Sequence, residues 1–161
     1  MKFSLLLVCF LASLFAPLAS CDQDAAVPGN ADAGDTTDHN PPTLTESQMK
    51  IKIGTQTFTA TLADNATATA FKALLPMTVA MVELNGNEKY VDLPSNLPAN
   101  ASNPGTIQNG DLMLYGANTL VLFYKSFSTS YPYTRLGRID DPAGLAAAVG
   151  SGNVSVTFAL P

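Results

Sequence analysis

Cysteine and histidine are nearly missing from this chain, which holds two of the first and one of the second among 161 residues. Both cysteines, Cys9 and Cys21, fall within the first 21 positions, and the single histidine is His39. Beyond Cys21 the chain has no means of forming a disulfide or a cysteine zinc cluster. Beyond His39 it has no histidine triad, no histidine metal site and no neutral-pH imidazole proton shuttle. Basic residues are also scarce, eight against thirteen acidic ones, for a formal net charge of −5. A nucleic-acid partner would want the opposite balance, so none is expected. No phosphate-binding glycine loop, EF-hand pattern or defensible pair of catalytic carboxylates is present. No cofactor, metal or catalytic residue is therefore expected. Finally, the one sustained apolar run, Phe3 to Ala16, covers 14 residues, short of the ~20 that cross a hydrocarbon core.

That short run has its own meaning. Lys2 precedes it, and Leu18-Ala19-Ser20-Cys21 closes it with small residues before a cysteine. This is the arrangement of an exported, cleaved signal peptide, and the last four residues resemble the lipobox of bacterial lipoprotein precursors. The resemblance implies that residues 1–20 are removed and that Cys21 carries the lipid. Two or more acyl chains hold a protein stably at a membrane, where one is marginal. An ordinary secretory signal with a chance cysteine is the simpler alternative. The expected location is the extracytoplasmic face of a bacterial membrane, inner or outer undecided, with the membrane as partner through the lipid.

Residues 21–47 read as an acidic tether. From Asp22 onward they carry six acidic and no basic side chains among Ala, Gly, Pro and Thr, a composition with too little apolar surface to fold. Roughly 26 flexible residues span on the order of 30 Å. The rest, residues 48–161, balances seven acidic against seven basic residues and is long enough for one domain.

Within that domain, Val, Ile, Thr, Phe and Tyr recur in short runs between Gly, Pro and Asn, a mainly β pattern. Met49 to Ile53 and Gln56 to Leu62 flank Gly54-Thr55 as a hairpin. Asp64 or Asn65 caps a helix with Ala70, Phe71, Leu74 and Leu75 on one face, stopped by Pro76. Strands follow at Met77 to Leu84 and Lys89 to Leu93, joined by the turn 85–87. A long loop over 94–110 forms either a rim or lid over a barrel opening or a packed connection. Leu112 to Tyr115, Thr119 to Tyr124 and Tyr133 to Ile139 are further strands. Asp141-Pro142 starts a helix through Val149 that Gly150 ends, and Val154 to Leu160 closes the chain.

About eight strands and two short helices in this order suit a closed barrel, which leaves no exposed sheet edge. The order resembles the cyclophilin fold, and the local sequence resembles a bacterial cyclophilin-like family. The resemblance covers about residues 49–160 and rests on Met49-Lys-Ile-Lys-Ile-Gly54, Phe71-Lys-Ala-Leu-Leu-Pro76 and Gly110-Asp-Leu-Met-Leu-Tyr-Gly116 leading to Leu122-Phe-Tyr124. True cyclophilins isomerise prolyl bonds with an arginine on the strand after the first helix. Here that strand has no arginine, and Asn85-Gly86-Asn87-Glu88 follows it. The resemblance thus implies a barrel that binds a small molecule or an extended peptide without chemistry. The alternatives are a divergent prolyl isomerase using Arg135 or Arg138, and a structural envelope component.

The candidate ligand-binding residues are Tyr131, Tyr133 and Arg135, which share strand parity, with Arg138 joining them or pairing with Asp140 or Asp141. An arginine beside tyrosines suits a planar or anionic group. The plainer reading makes these a solvent-facing cover on the barrel. Tyr115, Phe123 and Tyr124 are expected in the barrel core, Asp111 is expected to bond nearby backbone amides, and Glu83 is expected to face solvent. The oligomeric state has no signature in the sequence.

Overall fold

Apolar residues at every second position line the inside of a closed antiparallel barrel. A computed structural model describes residues 47–161; the expected signal peptide and all of the tether but Ser47 lie outside the described residues. The elements are β1 (Gln48–Ile53), β2 (Gln56–Leu62), α1 (Ala66–Lys72), β3 (Met77–Leu84), β4 (Glu88–Asp92), β5 (Thr106–Ile107), β6 (Asp111–Tyr115), β7 (Thr119–Phe123), β8 (Phe127–Ser128), β9 (Thr134–Ile139), α2 (Leu145–Val149) and β10 (Val154–Ala159). Eight strands close in the order β1-β10-β3-β4-β7-β6-β9-β2, and β5 and β8 form a separate two-stranded ribbon. The mainly β, closed-barrel expectation with two short helices is what the chain adopts.

Met49, Ile51 and Ile53 of β1, Phe58, Ala60 and Leu62 of β2, and Leu112, Leu114, Leu120 and Leu122 of β6 and β7 meet in one buried cluster. Each set alternates, because successive strand side chains point to opposite faces. The helices close the two ends. Asn65 caps α1, its Oδ1 accepting from the Ala68 amide at 2.8 Å, and Phe71 packs edge-on against Phe158 with ring centroids 5.7 Å apart. At the other end Leu145 and Val149 of α2 enter the same core.

The expected start of α2 is corrected. Asp141 and Pro142 form a turn instead, with Asp141 Oδ1 accepting from the Ala143 amide at 3.0 Å. Gly144 then sits at φ 80°, a left-handed position that interrupts any helix begun at Pro142, so α2 is only five residues long. The loop after β4 is a packed connection. Leu97 is buried, its amide donates to the Ala117 carbonyl at 2.7 Å, Ser102 and Tyr133 exchange backbone hydrogen bonds of 3.0 Å, and Thr106–Ile107 pairs with Phe127–Ser128.

β6 and β9 pair with a register shift between Leu112 and Met113, so that Gly137 lies opposite Leu112 while Arg135 lies opposite Met113. The extra residue, Leu136, turns inward and is fully buried. A bulge of this kind sends Arg138 to the same outer face as Arg135 despite their different parity. Gly137 is required where β9 crosses β2, since a Cβ placed there would lie 2.5 Å from the Thr61 carbonyl oxygen and 3.1 Å from the Leu62 Cα. Backbone cannot yield as a side-chain tip can. Gly137→Ala should therefore lower stability by about 2 kcal/mol, read as a lower urea midpoint; an unchanged midpoint would show that β2 gives way freely.

Candidate functional site

The outer face of the barrel carries a second, smaller core. β6 and β7 are buried along nearly their whole length because they are covered on both sides. Their inward leucines join the barrel interior, while Met113, Val121 and Phe123 point outward and pack with Ile107 against Tyr90, Phe127 and Tyr133. The segment 127–133 runs over this surface, held by the β5–β8 pairing, by the Thr129 amide on the Gly105 carbonyl at 2.9 Å and by the Ser102–Tyr133 bridge. Continuous apolar text in Leu112-Met-Leu and Leu120-Val-Leu-Phe123 is the sequence signal for burial on both faces.

Between that segment and the sheet lies a pocket of about 560 Å³, within the range of small-ligand sites. Glu88 and Tyr90 of β4, Thr119 and Val121 of β7 and Tyr115 of β6 line one side, and residues 127–131 with Tyr133 line the other. The turn residues Asn85 and Asn87 and the half-exposed Leu84 border one end. A chain of rings runs along the wall. Tyr131 meets Tyr115 at 6.4 Å, Tyr115 meets Tyr133 at 5.6 Å, Tyr133 meets Phe123 at 5.5 Å, and Phe123 meets Phe127 at 5.6 Å between centroids. Such tilted and edge-on contacts fix ring orientation as well as burying area.

One carboxyl group enters this aromatic setting. Glu88 has the same parity as Tyr90, pairs across from Phe123 and is 9 % exposed. No hydrogen bond or ion pair reaches it among the described residues. Burial first, and the charge of Glu83 second, push its pKa above the ordinary carboxylate value. Tyr133 responds in kind: burial, then the Glu88 charge, push its phenol up to about 12.

Of the residues singled out from the sequence, Tyr131 and Tyr133 line this pocket, and Arg135 and Arg138 are not among its lining residues. Both guanidinium groups turn to Asp111, whose carboxylate is fully buried. Arg135 Nη1 donates to Asp111 Oδ1 at 3.1 Å, and Arg138 Nε lies 3.8 Å from the same oxygen. Asp111 Oδ2 accepts the Gln108 amide at 2.8 Å, the backbone role expected of it. Tyr124 is in the barrel core, but Phe123 belongs to the outer cluster and Tyr115 is 44 % exposed at the pocket. Their expected place in the core is corrected by the two-sided burial of the β6–β7 hairpin. Glu88 went unnoticed in the sequence because a single acidic residue beside a turn looks like solvated surface.

A second polar cluster lies inside the barrel end under α2. Lys89 is wholly buried. Its ammonium donates to Glu83 and to the carbonyls of Gly150 and Gly152 at 2.9 and 2.6 Å, which uses all three of its protons, and lies 5.3 Å from the Tyr124 ring centroid. The Tyr124 hydroxyl donates to Glu83 Oε1 at 2.8 Å. The solvent-facing expectation for Glu83 is corrected here: at its barrel end it closes over Lys89. Burial opposes its ionisation, but the bonds from Lys89, Tyr124 and the Gly86 amide outweigh that and hold its pKa below the usual value. Burial and Glu83 push Tyr124 up to about 12. Among the described residues no group of acidic, histidine or cysteine side chains could hold a metal, and no helix is long and apolar enough to cross a membrane.

An eight-stranded antiparallel barrel, with a helix at each end and a pocket on its outer wall, is the class of domain defined here. The chain belongs to the cyclophilin-like family, whose family model, described as "Cyclophilin-like family", matches residues 51–159. Among solved structures it is similar in fold to the solution structure of a hypothetical protein from Archaeoglobus fulgidus, with a TM-score of 0.51, 16 % identity, and coverage of 75 % of this chain and 99 % of that one. No curated protein matches the chain.

Lys89→Met should cost about 3 kcal/mol of stability, because it leaves two carbonyls and a carboxylate without their donor at the barrel end. Urea unfolding measures it; a loss under about 1 kcal/mol would mean that water replaces the ammonium at little cost.

Proposed function

We propose that this protein is a lipid-anchored, extracytoplasmic binding domain whose outer-wall pocket takes a small molecule or a segment of extended peptide. The observation that carries the binding reading is the pocket itself: a concavity of about 560 Å³ lined by the aromatic rings of Tyr90, Tyr115, Phe127, Tyr131 and Tyr133. Exposed Tyr131 and Leu84, 61 % and 40 % accessible, extend its apolar rim, and apolar surface left at the edge of a concavity is characteristic of recognition sites. The lipid anchor rests on Leu18-Ala19-Ser20-Cys21, and the tether would hold the barrel away from the bilayer.

A prolyl-isomerase reading needs an arginine at the pocket. Arg135 and Arg138 are committed to Asp111, and none of the lining residues is basic. A purely structural role needs no such concavity.

Amide-resolved NMR titration with proline-containing peptides and a panel of small metabolites tests the binding reading. Shifts grouped on Tyr90, Tyr115, Thr119, Val121 and Tyr131 are expected for at least one compound; no localised shift with any of them would overturn it. The anchor is tested separately. Cys21→Ser should leave the barrel folded and release the protein from the membrane fraction of a producing bacterium, and a variant that still fractionates as a lipidated species would refute the attachment site.

A further inference from the structure

Glu88 is the acidic group that neither the barrel core nor the Asp111 clasp uses. It is more than nine-tenths buried, it lines the pocket, and it has no hydrogen-bond or ion-pair partner among the described residues. Asn87 beside it also lines the pocket, and its Oδ1 is buried without a donor. The lining at this end thus offers a carboxylate with no lysine or arginine in the pocket to balance it. A buried ionised carboxylate that lacks a counter-charge is costly unless something supplies one. Lys89, next in sequence, does not: it points into the barrel and is saturated by Glu83, Gly150 and Gly152.

The remaining wall suits a cation as well. Tyr115, Tyr131 and Tyr133 line the same pocket and pack against one another. Aromatic faces attract ammonium, guanidinium and quaternary ammonium groups through the ring quadrupole, and more strongly where water is excluded. An anionic ligand would meet Glu88 with no basic residue in the lining to offset it.

We propose that the pocket selects ligands carrying an organic cation, with Glu88 as the counter-charge and Tyr115, Tyr131 and Tyr133 as the aromatic wall around it. This rests on the binding role proposed above and narrows its ligand class. The raised pKa of Glu88 fits the same picture, since a carboxylate destabilised by burial and by Glu83 gains most from an incoming positive charge. The shared chemistry is an ammonium or guanidinium group; it can arrive as a free small molecule or as a basic side chain of an extended peptide.

The test uses two matched pairs of probes on the purified protein, followed by NMR and calorimetry. Choline is compared with its neutral isostere 3,3-dimethylbutan-1-ol, and Nα-acetyl-lysine amide with Nα-acetyl-norleucine amide. In at least one pair the cation should bind roughly tenfold or more tightly than its neutral counterpart, with shifts centred on Glu88, Tyr115 and Tyr133. Preference within the choline pair alone assigns a free cation, and preference within the lysine pair assigns a side chain. Glu88→Gln, which keeps the shape, should bring the cation's affinity down to that of its neutral partner and so abolish the preference. Equal binding of cation and neutral isostere, or a preference that survives Glu88→Gln, would overturn the cation assignment and leave the pocket intact as a binding site. Failure of all four probes, together with silence in the wider panel, would overturn the binding reading itself.

Discussion

The β6–β7 hairpin is packed from both sides, and the two halves of this molecule meet in it. Leu112, Leu114, Leu120 and Leu122 face inward and complete the barrel interior, while Met113, Val121 and Phe123 face outward and found the cluster beneath the pocket. Register is already fixed wherever one face of a strand is buried; burial on both faces fixes it a second time, because a one-residue shift would exchange two apolar sets that are cut to different neighbours. The hairpin is therefore the rigid plate on which the pocket is built. The wall opposite it has little regular structure of its own. Residues 127–133 are held by a two-residue ribbon, the Thr129 amide on the Gly105 carbonyl, one backbone bridge and ring contacts.

Charge is distributed by the same logic. The barrel domain is electrically balanced, and its three buried charged side chains have three different settings. Asp111 is buried and bound by two arginines that are themselves half-exposed, an arrangement that locks the β6–β9 bulge and keeps the guanidinium groups out of the pocket. Lys89 is buried and fully satisfied at the barrel end. Glu88 is buried at the pocket and has no ion-pair or hydrogen-bond partner for its carboxylate among the described residues. Two adjacent residues on one strand thus carry opposite charges to opposite faces, one compensated inside the barrel and one left over in an aromatic pocket. The alternation of a strand places them so; the difference in compensation is what separates a structural charge from a recognition group.

The family relationship crosses this division. The family match spans residues 51–159, the barrel strands and the pocket segments alike, and the likeness to an archaeal protein is one of fold; the barrel is where period-2 patterning, the glycine turns and the Asn65 cap agree. The pocket depends on features outside that pattern: a β-bulge, a loop that doubles back, and a segment with few backbone pairings. Sequence distance is large for each of them. Ser102 reaches Tyr133, Thr106 reaches Ser128, and Asp111 reaches both Arg135 and Arg138.

Strand alternation, the Asn65 cap and the Pro76 stop are properties of neighbouring residues and are legible in the sequence, whereas the start of α2 is not, because Gly144 takes a left-handed conformation after the Asp141-Pro142 turn. The order of elements then implied closure into a barrel with a helix at either end. Tyr131 and Tyr133 were legible as an aromatic pair because they stand two apart on an extended segment. Arg135 looked like their companion for the same reason, yet its partner, Asp111, is 24 residues away and competes for it at 3.1 Å. The sequence by itself determined a closed, mainly β barrel, the succession of its elements along the chain and the apolar inner face, because these follow from periodicity and from punctuation within each element; which strands lie side by side around the barrel was decided by long-range pairing. Only the tertiary structure decided which charged groups are satisfied and that Glu88 lines one pocket with tyrosines from two other segments, Tyr115 on β6 and Tyr131 and Tyr133 on the covering segment. That outcome turns on long-range pairings and one bulge, and no periodicity along the chain records them.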